Sequence, residues 1–210
     1  MLTLYDCATA PSPRRARILL AEKGLAHDTI AVDLRAGEQF SQAYREVNPL
    51  CTVPALRTDE GAVLTDNAAI AAYLEAVCPE PPLLGTTPLG KAEIASWNWR
   101  VEFEGLLAVA EALRNASPAM AGRALPGPQA YAQIPELAQR GAQRAAQFFD
   151  TLEQRLAQSP CVGGQAFSIA DITAVVAVDF ARVVKLHADE QRPHLLAWRE
   201  RMAQRPSMQL

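Results

Sequence analysis

Three prolines fall within four residues, Pro79 to Pro82, and they divide a chain of 210 residues into two stretches of different pattern. Each proline ring fixes φ and removes a backbone donor, so so dense a run carries neither a helix nor a central strand and reads as a stiff linker over residues 79–87. Before it, short apolar runs alternate with stretches of helical period. After it, no alternating strand pattern remains. Ile94, Trp97 and Val101 step by three and four, as do Ala145, Phe149, Leu152 and Leu156, and then Ile169, Ile172, Val176, Phe180 and Val183, each set predicting a helix with one buried face. With half of the residues hydrophobic, there is enough apolar surface to core two small domains. The expected organisation is an α/β domain over residues 1–78 and an all-helical domain over residues 88–210.

Within the first stretch, Leu2 to Tyr5 reads as a buried strand and Thr29 to Val32 as a second. Between them a helix is expected from about Pro13 to Lys23, with Ser12 as its cap and Gly24 closing it. Residues 37–47 read as a loop and a short helix, followed by strands over Ala55 to Arg57 and Ala62 to Thr65 with a tight turn at Asp59-Glu60-Gly61. A helix follows from Ala68 to Val77, capped by Asp66 or Asn67. A strand-helix-strand start implies a parallel pair and the tight turn an antiparallel one, which together give a small mixed sheet of thioredoxin-like arrangement.

Val53-Pro54 stands at the mouth of the third strand. A proline there cannot donate to a ladder, so an open edge is expected, and a cis bond would turn the Val53 N–H and C=O outward to pair with a short peptide. Farther along, Ser168-Ile169-Ala170-Asp171 reads as a capping box rather than a catalytic pair, because no histidine is tied to it.

Charge and cysteine usage narrow the partners. Net charge is −3 and Lys and Arg are scattered, so no basic face for nucleic acid or a membrane surface is visible. The first residues show no secretory signal pattern, no apolar run reaches the roughly 18–20 residues of a membrane span, and a cytoplasmic protein is expected. Cys7, Cys51, Cys78 and Cys161 form no C-x-x-C pair, which argues against a zinc site or a dithiol motif.

The order and spacing of several short motifs resemble the cytosolic glutathione transferase family over nearly the whole chain. They are Leu4-Tyr5, the run Arg15-x-Arg17-Ile18-Leu19-Leu20-Ala21-Glu22-Lys23-Gly24, Asn48-Pro49, Val53-Pro54, Asp66-Asn67-x-Ala69-Ile70, and Phe167 to Thr173. The resemblance implies that Val53 pairs its backbone with the cysteinyl part of glutathione, presented by a cis Pro54, and that Asp66-Asn67 receives the γ-glutamyl end. It implies that Gln39 lies in the loop that meets the glycyl carboxylate. It also implies a homodimer across both domains, with the helical domain lining the electrophile site, and no metal.

One position departs from the family. Where relatives carry a Ser, Cys or Tyr that acts on the glutathione sulfur, this chain has Ala10, before Pro11. A free thiol of pKa about 8.5 must be lowered by other means, and two units require about 2.7 kcal/mol. Candidates are the N-terminus of the first helix, from Ser12 to Arg14, and the hydroxyls of Ser12 and Thr9. The sequence most resembles an atypical fungal and bacterial branch in which the second domain holds an activating water, for which Asn115 and Ser117 are candidates, with Arg114 to stabilise negative charge. The expected activity is conjugation of glutathione to a small hydrophobic electrophile. A glutathione-dependent isomerase or dehalogenase, and a non-catalytic binding protein of the same fold, are the alternatives.

Overall fold

The computed structural model describes residues 1–210. It divides into two compact units, one of residues 1–81 with 126–130 and one of residues 82–125 with 131–210.

The first unit is built on four strands, β1 (Leu2–Asp6), β2 (His27–Ala31), β3 (Ala55–Arg57) and β4 (Val63–Leu64), in the order β2-β1-β3-β4. β1 runs parallel to β2 and antiparallel to β3, and β3 is antiparallel to β4. Helix α1 (Pro11–Glu22) makes the crossover between the parallel strands, α2 (Gln42–Val47) precedes β3, and α3 (Asn67–Val77) follows β4 and packs on α1. Period-two alternation sorts the sheet's faces. Tyr5 and Ala55, opposite one another across β1 and β3, cluster with Tyr44 of α2 and Val32. Leu4 and Leu56, the next opposed pair, are fully buried, as are Ile18 and Leu20 of α1 and Ile70 and Leu74 of α3.

Two boundaries differ from expectation. α1 begins two residues early, at Pro11, and its N-cap is Ala10, in extended conformation, not Ser12. The bias of a pre-proline residue away from the helical region does not exclude Ser12 from a first turn, where Pro13 removes only an N–H that has no intrahelical acceptor. β2 starts two residues earlier and ends one residue earlier than the apolar run suggested, because it is an edge strand whose residues are largely exposed and needs no continuous apolar face.

The second unit is helical. α4 (Pro88–Arg100) runs through a π-helical segment (Val101–Leu106) into α5 (Leu107–Ala116), followed by α6 (Pro135–Leu156), α7 (Ile169–Phe180) and α8 (Pro193–Ala203). α7 was expected to bury one face, yet every residue from Ile169 to Val178 is buried, as befits a helix apolar all round. Asp171 closes its start: one carboxylate oxygen accepts the Ser168 N–H at 3.1 Å and hydroxyl at 3.0 Å, the other the Val162 N–H at 2.8 Å and the Trp198 indole N–H at 3.1 Å. Burial pushes this carboxyl's pKa up, and the four donors oppose that shift.

Candidate active site

The tip of α1 is held by its surroundings. Arg17, one turn and a half into the helix, pairs with Asp6 at 2.5 Å and donates to the Ala8 carbonyl at 3.2 Å, fixing the segment between β1 and α1. Ala10 presents only a methyl group, and its N–H is taken by the Cys7 carbonyl. Of the N–H positions that a helix start leaves without intrahelical acceptors, two here are the prolines Pro11 and Pro13, so Ser12 carries the one backbone donor left at this tip. Thr9 is exposed, with its hydroxyl 3.7 Å from the Cys7 sulfur.

The loop before β3 is organised by Asn48, the fully buried C-cap of α2. Its side-chain oxygen accepts the Leu50 N–H at 3.0 Å, and its amide donates to the Thr52 carbonyl at 2.8 Å and hydroxyl at 3.1 Å. The Tyr44 hydroxyl donates to the same carbonyl at 2.6 Å, and burial pushes its pKa up to about 12, so this phenol serves as a fixed donor and not as a base. Cys51 takes a left-handed backbone, φ 53°, within this loop. The Val53-Pro54 bond is cis, and no group of the chain engages the Val53 N–H or C=O.

α3 begins at Asp66. One of its carboxylate oxygens caps the helix, accepting the Ala69 N–H at 2.8 Å, and its carbonyl accepts the Ile70 N–H. The second carboxylate oxygen and the N–H groups of Asn67 and Ala68 have no partner in the chain. Asn67 behaves otherwise than expected. Its side-chain nitrogen donates to the Ser12 carbonyl at 3.2 Å and to the Ser12 hydroxyl at 3.0 Å, so both amide hydrogens are engaged with the tip of α1. Gln39, in a 3-10 turn (Glu38–Phe40), is 3% exposed, and its side-chain oxygen is buried without a donor.

The three candidates in the helical unit surround the end of α5. Asn115 is buried; it donates to the Glu111 carbonyl at 2.9 Å and accepts the Ile134 N–H at 2.9 Å. Gln133 donates to the Arg114 and Ser117 carbonyls, both at 2.7 Å, which caps the helix end. Arg114 donates to the Arg123 carbonyl at 2.8 Å, and burial together with the Arg123 charge lowers its pKa from the usual range. The side chain of Asn115 is thus engaged in closing α5 onto the segment before α6, a use that sequence spacing does not reveal. Sequence reasoning named Asn48 only as part of a motif and missed Tyr44 and Gln133, polar residues whose partners become evident only once the backbone is folded. No cluster of three or more His, Cys, Asp or Glu side chains is placed to hold a metal ion.

Comparison with known proteins assigns the class. The family model for the glutathione S-transferase N-terminal domain matches residues 9–77, and that for the glutathione S-transferase C-terminal domain matches residues 116–206. Glutathione S-transferase 2 of Saccharomyces cerevisiae is 35% identical over 212 residues, covering 99% of this chain and 88% of that one. The crystal structure of Gtt2 from Saccharomyces cerevisiae superposes with a TM-score of 0.89 at 34% identity, covering 99% and 98% of the two chains. Over a shorter stretch, a maleylacetoacetate isomerase of Pseudomonas aeruginosa is 42% identical over 93 residues, 43% of this chain and 44% of that one. The chain belongs to the glutathione S-transferase family, and its fold is a thioredoxin-like unit joined to an all-helical one.

Proposed function

We propose that this transferase acts as a cytoplasmic homodimer that conjugates the glutathione thiolate to a small hydrophobic electrophile. The observation that carries the reading is the link from Asn67 to Ser12, which holds two helix starts together, one with a single unengaged N–H, that of Ser12, and the other with two, those of Asn67 and Ala68. Such starts favour negative charge. Around them the residues suit the parts of a tripeptide. The open backbone of Val53, presented by Pro54, suits a strand-like pairing with the cysteinyl residue. The free carboxylate oxygen of Asp66 suits the glutamyl ammonium, and the N–H groups of Asn67 and Ala68 suit its carboxylate. The unsatisfied amide of Gln39 suits the glycyl end, which offers both an N–H and a carboxylate. Bound glutathione supplies the sulfur nucleophile; the chain has to hold it ionised and aimed.

The test is retention on immobilised glutathione followed by turnover of a chromogenic aryl halide. Retention with turnover is the expected result, and absence of both overturns the conjugation reading in favour of a non-catalytic role. Asp66→Asn keeps a helix cap and removes the charge. It is expected to weaken glutathione binding about tenfold or more, the worth of a charge-assisted hydrogen bond. An unchanged dissociation constant in calorimetry takes Asp66 out of the site.

A glutathione-dependent isomerase is the second reading, supported by the likeness to the Pseudomonas isomerase. Turnover of cis-configured diketo acids without consumption of glutathione would favour it.

A further inference from the structure

We infer that Ser12 takes the place of the hydroxyl missing at Ala10, donating to the glutathione sulfur, and that Asn67 is the positioning residue that frees it to do so. The inference rests on the transferase reading above and adds to it the sulfur's partner.

The orientation of the Asn67 amide is dictated by chemistry. The Ser12 carbonyl can only accept, so the atom facing it at 3.2 Å must be the amide nitrogen. The same nitrogen lies 3.0 Å from the Ser12 hydroxyl oxygen, so its second hydrogen points there and the hydroxyl is the acceptor. Arg15 approaches that oxygen as well, at 3.5 Å, again as a donor. A hydroxyl has two lone pairs and one hydrogen. With N–H donors on the oxygen, its hydrogen is left to give, and each donor makes that hydrogen a better one by polarising the O–H bond.

No other backbone donor of the first turn of α1 competes. Pro11 and Pro13 have no N–H, and that of Ala10 is engaged, so among residues 10–13 only Ser12 has a backbone N–H to offer an anion, with its O–H beside it. Asn67, with both hydrogens given to Ser12, can meet a ligand only through its own carbonyl oxygen and backbone N–H. It therefore acts on the sulfur through Ser12 and not as a side-chain donor to the glutamyl end.

The experiment reads the thiol of bound glutathione directly, by thiolate absorbance against pH, with S-methylglutathione as a probe of binding that lacks an ionisable sulfur. Ser12→Ala is expected to raise the bound thiol pKa by about one unit or more, a tenfold loss of thiolate below both values, while S-methylglutathione affinity stays within about twofold. Ser12→Thr, which keeps the hydroxyl, restores the wild-type value. Asn67→Ala moves the thiol pKa in the same direction by less, and adds nothing in the Ser12→Ala background. A thiol pKa unmoved by Ser12→Ala overturns the inference. So does an Asn67→Ala variant that binds S-methylglutathione more weakly with its thiol pKa unchanged, which would make Asn67 a direct contact. Failure of the wild-type chain to bind S-methylglutathione overturns the transferase reading itself, a result distinct from either.

Discussion

Glu153 starts helix α8 from a distance. It stands on α6, yet its carboxylate accepts the Leu195 N–H at 2.8 Å, the His194 N–H at 3.3 Å and the His194 ring nitrogen at 2.6 Å, supplying the cap that Arg192 does not. Burial acts to raise this carboxyl, but those donors outweigh it and hold the group below its ordinary 4.5. A depressed folded-state value means that the stabilisation is present above about 4.5 and lost as pH falls through the folded value. Glu153→Gln is expected to lower the melting temperature near neutrality by about 2–4 °C, as loss of a cap does in a chain of this size. The deficit should shrink as melts are taken to progressively lower pH below 4.5, where wild type loses the same stabilisation. A deficit that stays constant down to the most acid melt would detach the effect from this carboxylate. Residues of this kind are not legible in a sequence, since Glu153 and His194 lie far apart along the chain. The backbone-led candidates are another matter: Val53 and Asp66 announced themselves because a proline and a cap leave local signatures.

At the scale of elements, the join between α5 and α6 depends on one missing side chain. A Cβ placed on Gly141 would lie 2.6 Å from both the Ala108 carbonyl oxygen and the Ala112 nitrogen, so the two backbones approach as closely as glycine permits. Backbone cannot swing aside as a flexible side chain can. Gly141→Ala should therefore lose about 1–3 kcal/mol to overpacking despite alanine's better helix propensity, which chemical denaturation would register as a lower midpoint. A midpoint at or above that of wild type would mean that the helices can separate at little cost. The sequence showed that α6 has a helical period but gave no warning of this contact, because a mid-helix glycine signals only local weakness. Helix starts were misread for a related reason. Pro11-Ser12-Pro13 offers two prolines and a capping residue, and sequence rules favoured Ser12 as the cap while the chain uses Ala10.

For the molecule as a whole, the change of pattern at the proline run was legible because it depends on periodicity over many residues, and the family emerged from the order of several weak motifs. The association of residues 126–130 with the first unit was not legible, since nothing local marks that excursion. A self-association surface has a candidate in the helical unit. Trp99 and Phe103 stack at 4.9 Å while 58% and 46% exposed, and Leu107, four residues on, is 55% exposed. If the proposed homodimer forms through this stripe, Trp99→Ala with Phe103→Ala should shift the native mass towards that of one chain and leave the far-UV spectrum unchanged; a dimer mass that the pair of substitutions leaves unaltered would place the interface elsewhere. The paired rings flanking Ser12 have a consequence for what the transferase can hold. A tetrahedral oxyanion such as phosphate or sulfate settles on a helix end by drawing several amide hydrogens at once. The start of α1 offers a single amide, so it is a poor seat for such ions and an adequate one for charge concentrated on one atom. If the glutathione sulfur sits there as proposed, those two prolines would act as a filter, disfavouring common cellular oxyanions in its place.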